Sequence, residues 1–332
     1  MAELSIVLIS KNQAWNMSRL VESVLRNTTC VSSREIVLVD SASTDGTIEV
    51  ASRYPIRILR LRPDQHLTPA AGRYIGYKHT SGELVLFLDG DMELCKGWLE
   101  TGLQILEDQA EVALVTGEVV DLPQNGAEAA DKPKLSLDAP TEVTEIRYSG
   151  GAAMYRRSIL EEVGTFNPYL YSDEEPDLCI RIRHAGYRIV RVMYPIAFHY
   201  TDPRSDLSTL VARWRRRLYL GAGQNLRYHL GKAVLWRYIR ERGFGLISIT
   251  VILVTLISLL WALLAGHIKT WSLVWVSLLG LFLAGDALRK QSPYQTVSSL
   301  LKQTFILDGT IRGFLLEPLD PNSYPDEFDR VK

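Results

Sequence analysis

The sequence predicts an α/β domain, a sheet with helices on both faces, followed by a C-terminal transmembrane helical hairpin. Three observations predict it. Apolar runs of strand length alternate with helically spaced segments through the first 200 residues, the pattern of a mostly parallel sheet covered on both faces. Residues 244–266, FGLISITVILVTLISLLWALLAG, run for 23 residues without a charge, and about 20 apolar residues suffice to cross the hydrocarbon core. The charge is also unevenly spread. Residues 204–242 hold ten Lys/Arg and two acids, a balance of +8, so with a net charge of -1 the rest of the chain carries -9. A chain that is not basic throughout is not built for general nucleic-acid binding, so no nucleic-acid partner is expected.

The elements follow in order. The start reads as strand 5–10, SIVLIS, with no basic region and too short an apolar run for a signal peptide, so the N-terminal α/β half is expected to stay in the cytoplasm. Residues 15–26 have helical apolar spacing. Strand 35–40, EIVLVD, ends in Asp40 and precedes a helix at 47–54, for which Ser43, Thr44 and Asp45 are good caps. Strand 56–61, helix 68–79, strand 83–89, helix 98–106 and strand 112–120 continue the alternation. In such sheets ligands bind beyond the carboxyl ends of the strands, so the polar residues there are the ones to question. Cys30, Cys95 and Cys179 are odd in number and widely spaced, which suits buried thiols rather than a metal site or a disulfide framework.

The second apolar run, 271–285, has 15 residues, about 23 Å as a helix. It either spans with flanking residues or dips in and returns; a tight hairpin, 244–266 and 271–288, is the favoured reading. Arg289 and Lys290 beyond it, and the arginines before 244, put both ends in the cytoplasm, with Trp261, Trp271 and Trp275 as belt residues. The expected divisions are therefore the α/β domain at 1–205, a basic amphipathic segment at 206–243, the hairpin, and a cytoplasmic segment at 289–332. Residues 292–319 look like a half-buried helix, and the acidic, Pro-rich tail from Glu317 is expected to fray.

Two strand ends carry aspartates. Asp40 opens VLVDSASTDGT, and helix capping explains Asp45 but not Asp40. Asp89 and Asp91 sit two apart in LFLDGDMEL. Two carboxylates this close repel unless neutralised, and a divalent ion bridging phosphate oxygens would do so; the competing reading is that Asp91 caps a helix from Glu93. An EF-hand fails because Leu94 stands where Gly is required, and no GxxxxGK[ST] or GxGxxG occurs.

These pieces together carry a resemblance. SIVLISKNQ, VLVDSASTDGT, AAGRYIGYKHTSGELVLFLDGDM, SGGAAMYRRSILEEVGTFNP and DEEPDLCIRIRHAGYRI fall in the order and spacing seen in inverting glycosyltransferases of family two, over roughly residues 4 to 205. The resemblance implies the GT-A fold, a Rossmann-like nucleotide-diphospho-sugar transferase domain. It implies a donor site of Ser10, Asp40, Arg73, Asp89 and Asp91. Asp40 would recognise the base and Asp89 the ribose, with Arg73 near base and diphosphate; Tyr74 stands where the family usually has Asn. Asp91, with His199 as a further ligand, would hold Mg²⁺ or Mn²⁺; His199 also reads as a surface-turn histidine. Gly150, Gly151 and Glu174 would lie near the donor sugar and acceptor. Glu175, where the family more often has Asp, would be the general base.

The resemblance implies transfer of a sugar from a UDP-, GDP- or dTDP-sugar to an acceptor hydroxyl or lipid phosphate, in lipid-linked glycan or surface polysaccharide synthesis. The protein is expected in the inner or plasma membrane. The basic segment suits anionic membrane lipids; alternatively its arginines hold a lipid-phosphate acceptor or the donor diphosphate. Two other readings stand beside this one: a processive synthase, and an inactive membrane-anchored nucleotide-sugar binder. Processive members carry Q-x-x-R-W, whereas here Leu210 replaces the Gln ahead of Arg213 and Trp214, and the spans are too few for a channel.

Overall fold

The computed structural model describes residues 3–124, 142–201 and 207–332. The chain forms two compact units, Met1–Pro203 with Leu319–Lys332, and Arg204–Pro318. The expected boundary at 205/206 and two charges of the basic segment, Arg204 and Asp206, lie outside the described residues.

The first unit begins β1 (Leu4–Ser10), α1 (Ala14–Asn27), β2 (Arg34–Asp40), α2 (Thr47–Ala51), β3 (Arg57–Leu61), α3 (Pro69–Lys78) and β4 (Leu84–Asp89). It continues with β5 (Met92–Leu94), α4 (Trp98–Asp108), β6 (Val112–Pro123), β7 (Val143–Glu145), β8 (Ala153–Arg156), α5 (Arg157–Val163), α6 (Glu174–His184) and β9 (Arg188–Thr201). β1 is buried at every residue, because helices cover both faces. Leu4, Ile6 and Leu8 pack with Met17 and Leu20 of α1. Val7 and Ile9 face the other way, towards Ile75 of α3. Each such side chain contributes about 1.5–3 kcal/mol by leaving water.

The sheet order is β10-β3-β2-β1-β4-β8-β6-β9-β5, with β7 on β9 and β10 (Phe328–Arg330) at the chain's end. Only β3-β2-β1-β4 forms an uninterrupted parallel block. β8 enters antiparallel between β4 and β6, and β6 pairs β9 in parallel. The sheet is thus mixed rather than mostly parallel, because the short apolar stretch at 153–156 fills the gap beside β4 from the opposite direction.

Two expectations change. Asp91 does not cap a helix: Met92 and Leu94 alternate into the core as β5, and α4 starts only at Trp98, after a left-handed Gly97. The tail does not fray. β10 pairs antiparallel with β3 and Tyr324 is 2% exposed, because β3 is otherwise an edge whose backbone groups need partners.

The second unit contains α7 (Leu207–Arg215), α8 (Gly221–Tyr228), α9 (Val234–Arg242), α10 (Phe244–Leu264), α11 (Ile268–Lys290) and α12 (Pro293–Leu315). α10 and α11 are long and apolar enough to cross a membrane. The second run is longer than its 15-residue apolar core, because the helix takes in residues 268–270 and continues to Lys290, giving 23 residues, about 35 Å. Trp271 Nε1 donates to Ser258 Oγ at 3.0 Å, tying the two helices.

Candidate active site

The carboxyl ends of β1, β2 and β4 lie side by side, with Ser10 opposite Asp40 and Ile9 opposite Asp89. Asp40 is fully buried. Its Oδ2 accepts from Ser43 N at 2.8 Å and lies 4.0 Å from Arg60 Nε. Its Oδ1 and the Ser10 hydroxyl are buried without a hydrogen-bond partner. Burial pushes the Asp40 carboxyl up, against the pull of Ser43 and Arg60. An unpaired buried acceptor costs about 1–3 kcal/mol, which a ligand N–H or O–H at this point would relieve. Arg60 carries no signal in its sequence context; only the β2–β3 register brings it beside Asp40.

The loops around this point are laced together. Asn12 N donates to Ser43 Oγ and Thr44 N to Asn12 Oδ1, both at 2.8 Å. Asp45 serves two helix starts, accepting from Ala14 N at 3.0 Å and Thr47 N at 3.0 Å. It therefore takes the first amide of both α1 and α2, while the N-cap positions themselves are Gln13 and Gly46.

Arg73 is the hub of a second cluster. α3 brings it in: Thr68 caps the helix by accepting from Ala71 N at 3.1 Å, and Pro69 presets the first turn. α3 lies so close to the sheet that a Cβ on Gly76 would stand 2.2 Å from Val7 Cγ1. Arg73, 2% exposed, reaches Asp89 at 2.7 Å and both Glu174 and Glu175 at 2.9 Å. Burial alone would lower its pKa, but the three carboxylates hold it firmly protonated. Three acids share one cation, so the cluster is acidic in balance. Burial, then Glu175, pushes Glu174 upward, and burial pushes Asp89 upward despite Arg73. The Glu174 side chain is 6% exposed and that of Glu175 19%, so Glu175 is the one a substrate can reach. Gly151 closes over Asp89: a Cβ there would fall 2.0 Å from Asp89 Oδ2, whereas one on Gly150 meets nothing within 4 Å.

Asp91 and His199 form the third group. His199 sits in β9, in register with Met92 of β5, so it is a strand residue and not one of a surface turn. Its Nε2 is 3.4 Å from Asp91 Oδ2 and its Nδ1 is 2.8 Å from Asp121 Oδ1. Asp91 and Asp121 together raise the imidazole to about 9. Asp121 has no motif around it; the parallel pairing of β6 with β9 sets it beside His199. Among the described residues, no three His, Cys, Asp or Glu side chains form a group that could by itself hold a metal. Asp91 would offer one oxygen and His199, once its imidazole gives up a proton, one nitrogen, and Asp91 Oδ1 is buried without a partner. That fits a hard divalent ion completed by phosphate oxygens.

A mixed α/β sheet with this order of elements is the fold of GT-A-type sugar transferases. The mannosyltransferase PcManGT from Pyrobaculum calidifontis, in complex with GDP-Man and Mn²⁺, superimposes with a TM-score of 0.58 at 19% identity, covering 94% of this chain and 87% of that one. TarS 1–349 of S. aureus, in complex with UDP-GlcNAc, gives 0.52 at 17% identity, covering 95% and 90%. Glycosyltransferase AglE of Haloferax volcanii is 27% identical over 210 residues, 61% of this chain and 69% of that protein. Pre-mycofactocin glycosyltransferase of Mycobacterium tuberculosis is 30% identical over 224 residues, 64% of this chain but only 45% of that protein. The sequence profile described as glycosyl transferase family 2 matches residues 5–164. Residues 5–164 of this chain are of that family, and with these relatives they support a glycosyltransferase function.

Proposed function

We propose that the chain transfers a single sugar, with inversion, from a nucleoside-diphosphate sugar to an acceptor hydroxyl or lipid phosphate at the cytoplasmic membrane face, in lipid-linked glycan or surface polysaccharide synthesis. The observation that carries this is the Arg73 cluster, which sets a reachable carboxylate, Glu175, beside Asp89 at the end of β4. Solved relatives bound to GDP-Man and to UDP-GlcNAc support a nucleotide-sugar donor, and the one with Mn²⁺ supports a divalent ion.

Asp40 Oδ1 accepts an N–H of the base, and Ser10 and Asp89 meet the ribose. Arg73 lies towards the diphosphate while holding both glutamates in place. Asp91 and His199 hold Mg²⁺ or Mn²⁺, which when bound offsets negative charge on the leaving diphosphate. For a hydroxyl acceptor, Glu175 takes the proton as the oxygen bonds to the anomeric carbon from the face opposite the phosphate. The bond from that carbon to the phosphate oxygen breaks, and the nucleoside diphosphate leaves with the electron pair. Membrane attachment through α10 and α11 places the acceptor among lipids. Leu210 in place of the Gln of processive enzymes favours one addition per encounter. Retained acids at 40, 89, 91 and 175 disfavour an inactive binder.

The test uses the full chain in lipid bilayers with UDP-, GDP- and dTDP-sugars, Mn²⁺ and a membrane lipid extract. The expected result is release of nucleoside diphosphate with one donor, and a singly extended product of inverted anomeric configuration by NMR. Products of many sugars would favour a processive synthase, and donor binding without turnover an inactive binder.

A further inference from the structure

The C-terminal tail returns from the second unit to the catalytic one and touches it at the back of the Arg73 cluster. Tyr324 packs between two elements that also meet directly where Thr68 Oγ1, at the cap of α3, donates to Pro168 O at 2.9 Å. On one side is Tyr74 of α3, the residue after Arg73, with ring centroids 6.1 Å apart. On the other is Tyr169, at 5.5 Å. Tyr169 lies in the segment from Phe166 to Asp173 that leads into Glu174 and Glu175 at the start of α6. Phe166 in the same segment lies under the Arg73 guanidinium, 5.6 Å away. The Tyr324 hydroxyl donates to His66 O at 2.9 Å, in the loop before α3, and Ser323 Oγ is 3.1 Å from Tyr169 Oη.

The tail is fastened along the residues that follow this tyrosine. β10 extends the sheet at β3. Asp326 pairs with Lys78 Nζ at 3.1 Å, at the far end of α3. Arg62 pairs with Glu327 and lies 3.9 Å from Asp329. Lys332 Nζ donates to Ser52 O at 2.9 Å and Tyr54 O at 2.7 Å.

We infer that Tyr324 is a positioning residue: its ring holds α3 and the 166–173 segment at a set spacing, and so aligns Arg73 with Glu174 and Glu175. This rests on the reading of Glu175 as general base. Rate is sensitive to such alignment, since a displacement of about 1 Å can cost about 100-fold. The ring performs this role and the hydroxyl is secondary, because the ring touches both elements and the hydroxyl only the loop at His66. Tyr324 makes no contact with substrate in this scheme.

The experiment compares the full chain with Tyr324→Leu, which keeps an apolar side chain but loses the ring, and Tyr324→Phe, which keeps the ring. Tyr324→Leu is expected to lower kcat at least about tenfold, with nucleoside-diphosphate affinity within about threefold of the parent, and Tyr324→Phe to restore most of the rate. Hydrogen exchange is read on the same proteins without substrate. Amides of 166–173 and of the first turn of α3 should exchange faster in Tyr324→Leu, while those of β1 and β2 should not change. An unchanged kcat, or unchanged exchange at 166–173, overturns the inference. So does a loss of rate matched by an equal loss of nucleotide affinity, or by faster exchange throughout the sheet, since either marks a general loss of structure. A parent chain without transferase activity overturns the functional reading instead, and the exchange data still decide whether Tyr324 sets the segment.

Discussion

Glu174 and Glu175 are adjacent, bind the same guanidinium and differ in access. A general base acts only in the transition state, so Glu175→Gln should lower kcat about 10²- to 10⁴-fold while nucleoside-diphosphate binding stays near normal. Transient kinetics with calorimetry reads both; an unaffected rate together with an inactive Glu174→Gln would make Glu174 the base. Glu174 is also a stability group. Its pKa is raised in the fold, so above the ordinary glutamate range the folded chain keeps a proton that the unfolded chain has lost. Stability from this group is therefore complete at low pH and declines as pH rises through the raised value. Glu174→Gln should flatten that decline in Tm plotted against pH, and a variant whose slope matches the parent would show that the strain lies elsewhere. The types of these residues were legible in DEEPDL; their unequal burial was not, since it depends on how α3 lies against α6.

The glycines between β7 and β8 act through their neighbours. Gly151→Ala should displace Asp89, for which a Cβ leaves no room, and lower donor turnover with the sheet intact; Gly150→Ala, with open space around it, should stay close to the parent. Equal rates in the two variants would remove Gly151 from the site. The turn between β4 and β5, with β5 paired to β9, places Asp91 against His199. Asp91→Asn should abolish metal-dependent turnover with an unchanged circular dichroism spectrum, and excess chelator should silence the parent until Mn²⁺ or Mg²⁺ is restored. Full turnover in chelator would sink the metal assignment. The aspartates were visible as strand ends, but β5 was hidden: three residues carry too little pattern to separate a strand from a helix start.

The tail fixes the parity of the whole molecule. Residues 319–332 pack in the same unit as the sheet, so the chain between 203 and 319 must cross a membrane an even number of times. α10 and α11 are two helices long and apolar enough to cross, and α12 carries Lys302, Asp308 and Arg312 along its length, which disfavours a third crossing. Reporter fusions after Arg242 and after Lys290 should therefore report the same side, the cytoplasm on the reading proposed above; opposite reports would leave α11 at the surface and require another crossing. The protein should also resist extraction by high salt and yield to detergent, since its exposed apolar helices outweigh the screened attraction of the basic segment to lipid.

Periodicity and local chemistry were enough for the alternating elements, the acidic strand ends, the two long apolar helices and each of the short motifs that together carry the family resemblance, because each is written in a short run of neighbouring residues. Pairings across long stretches of chain were beyond them: β8 beside β4, Asp121 beside His199, Arg60 beside Asp40, and the tail against β3. Strand order and register are set by which edges remain unpaired and which side chains fill the core once all elements are assembled, and no window of sequence contains that information.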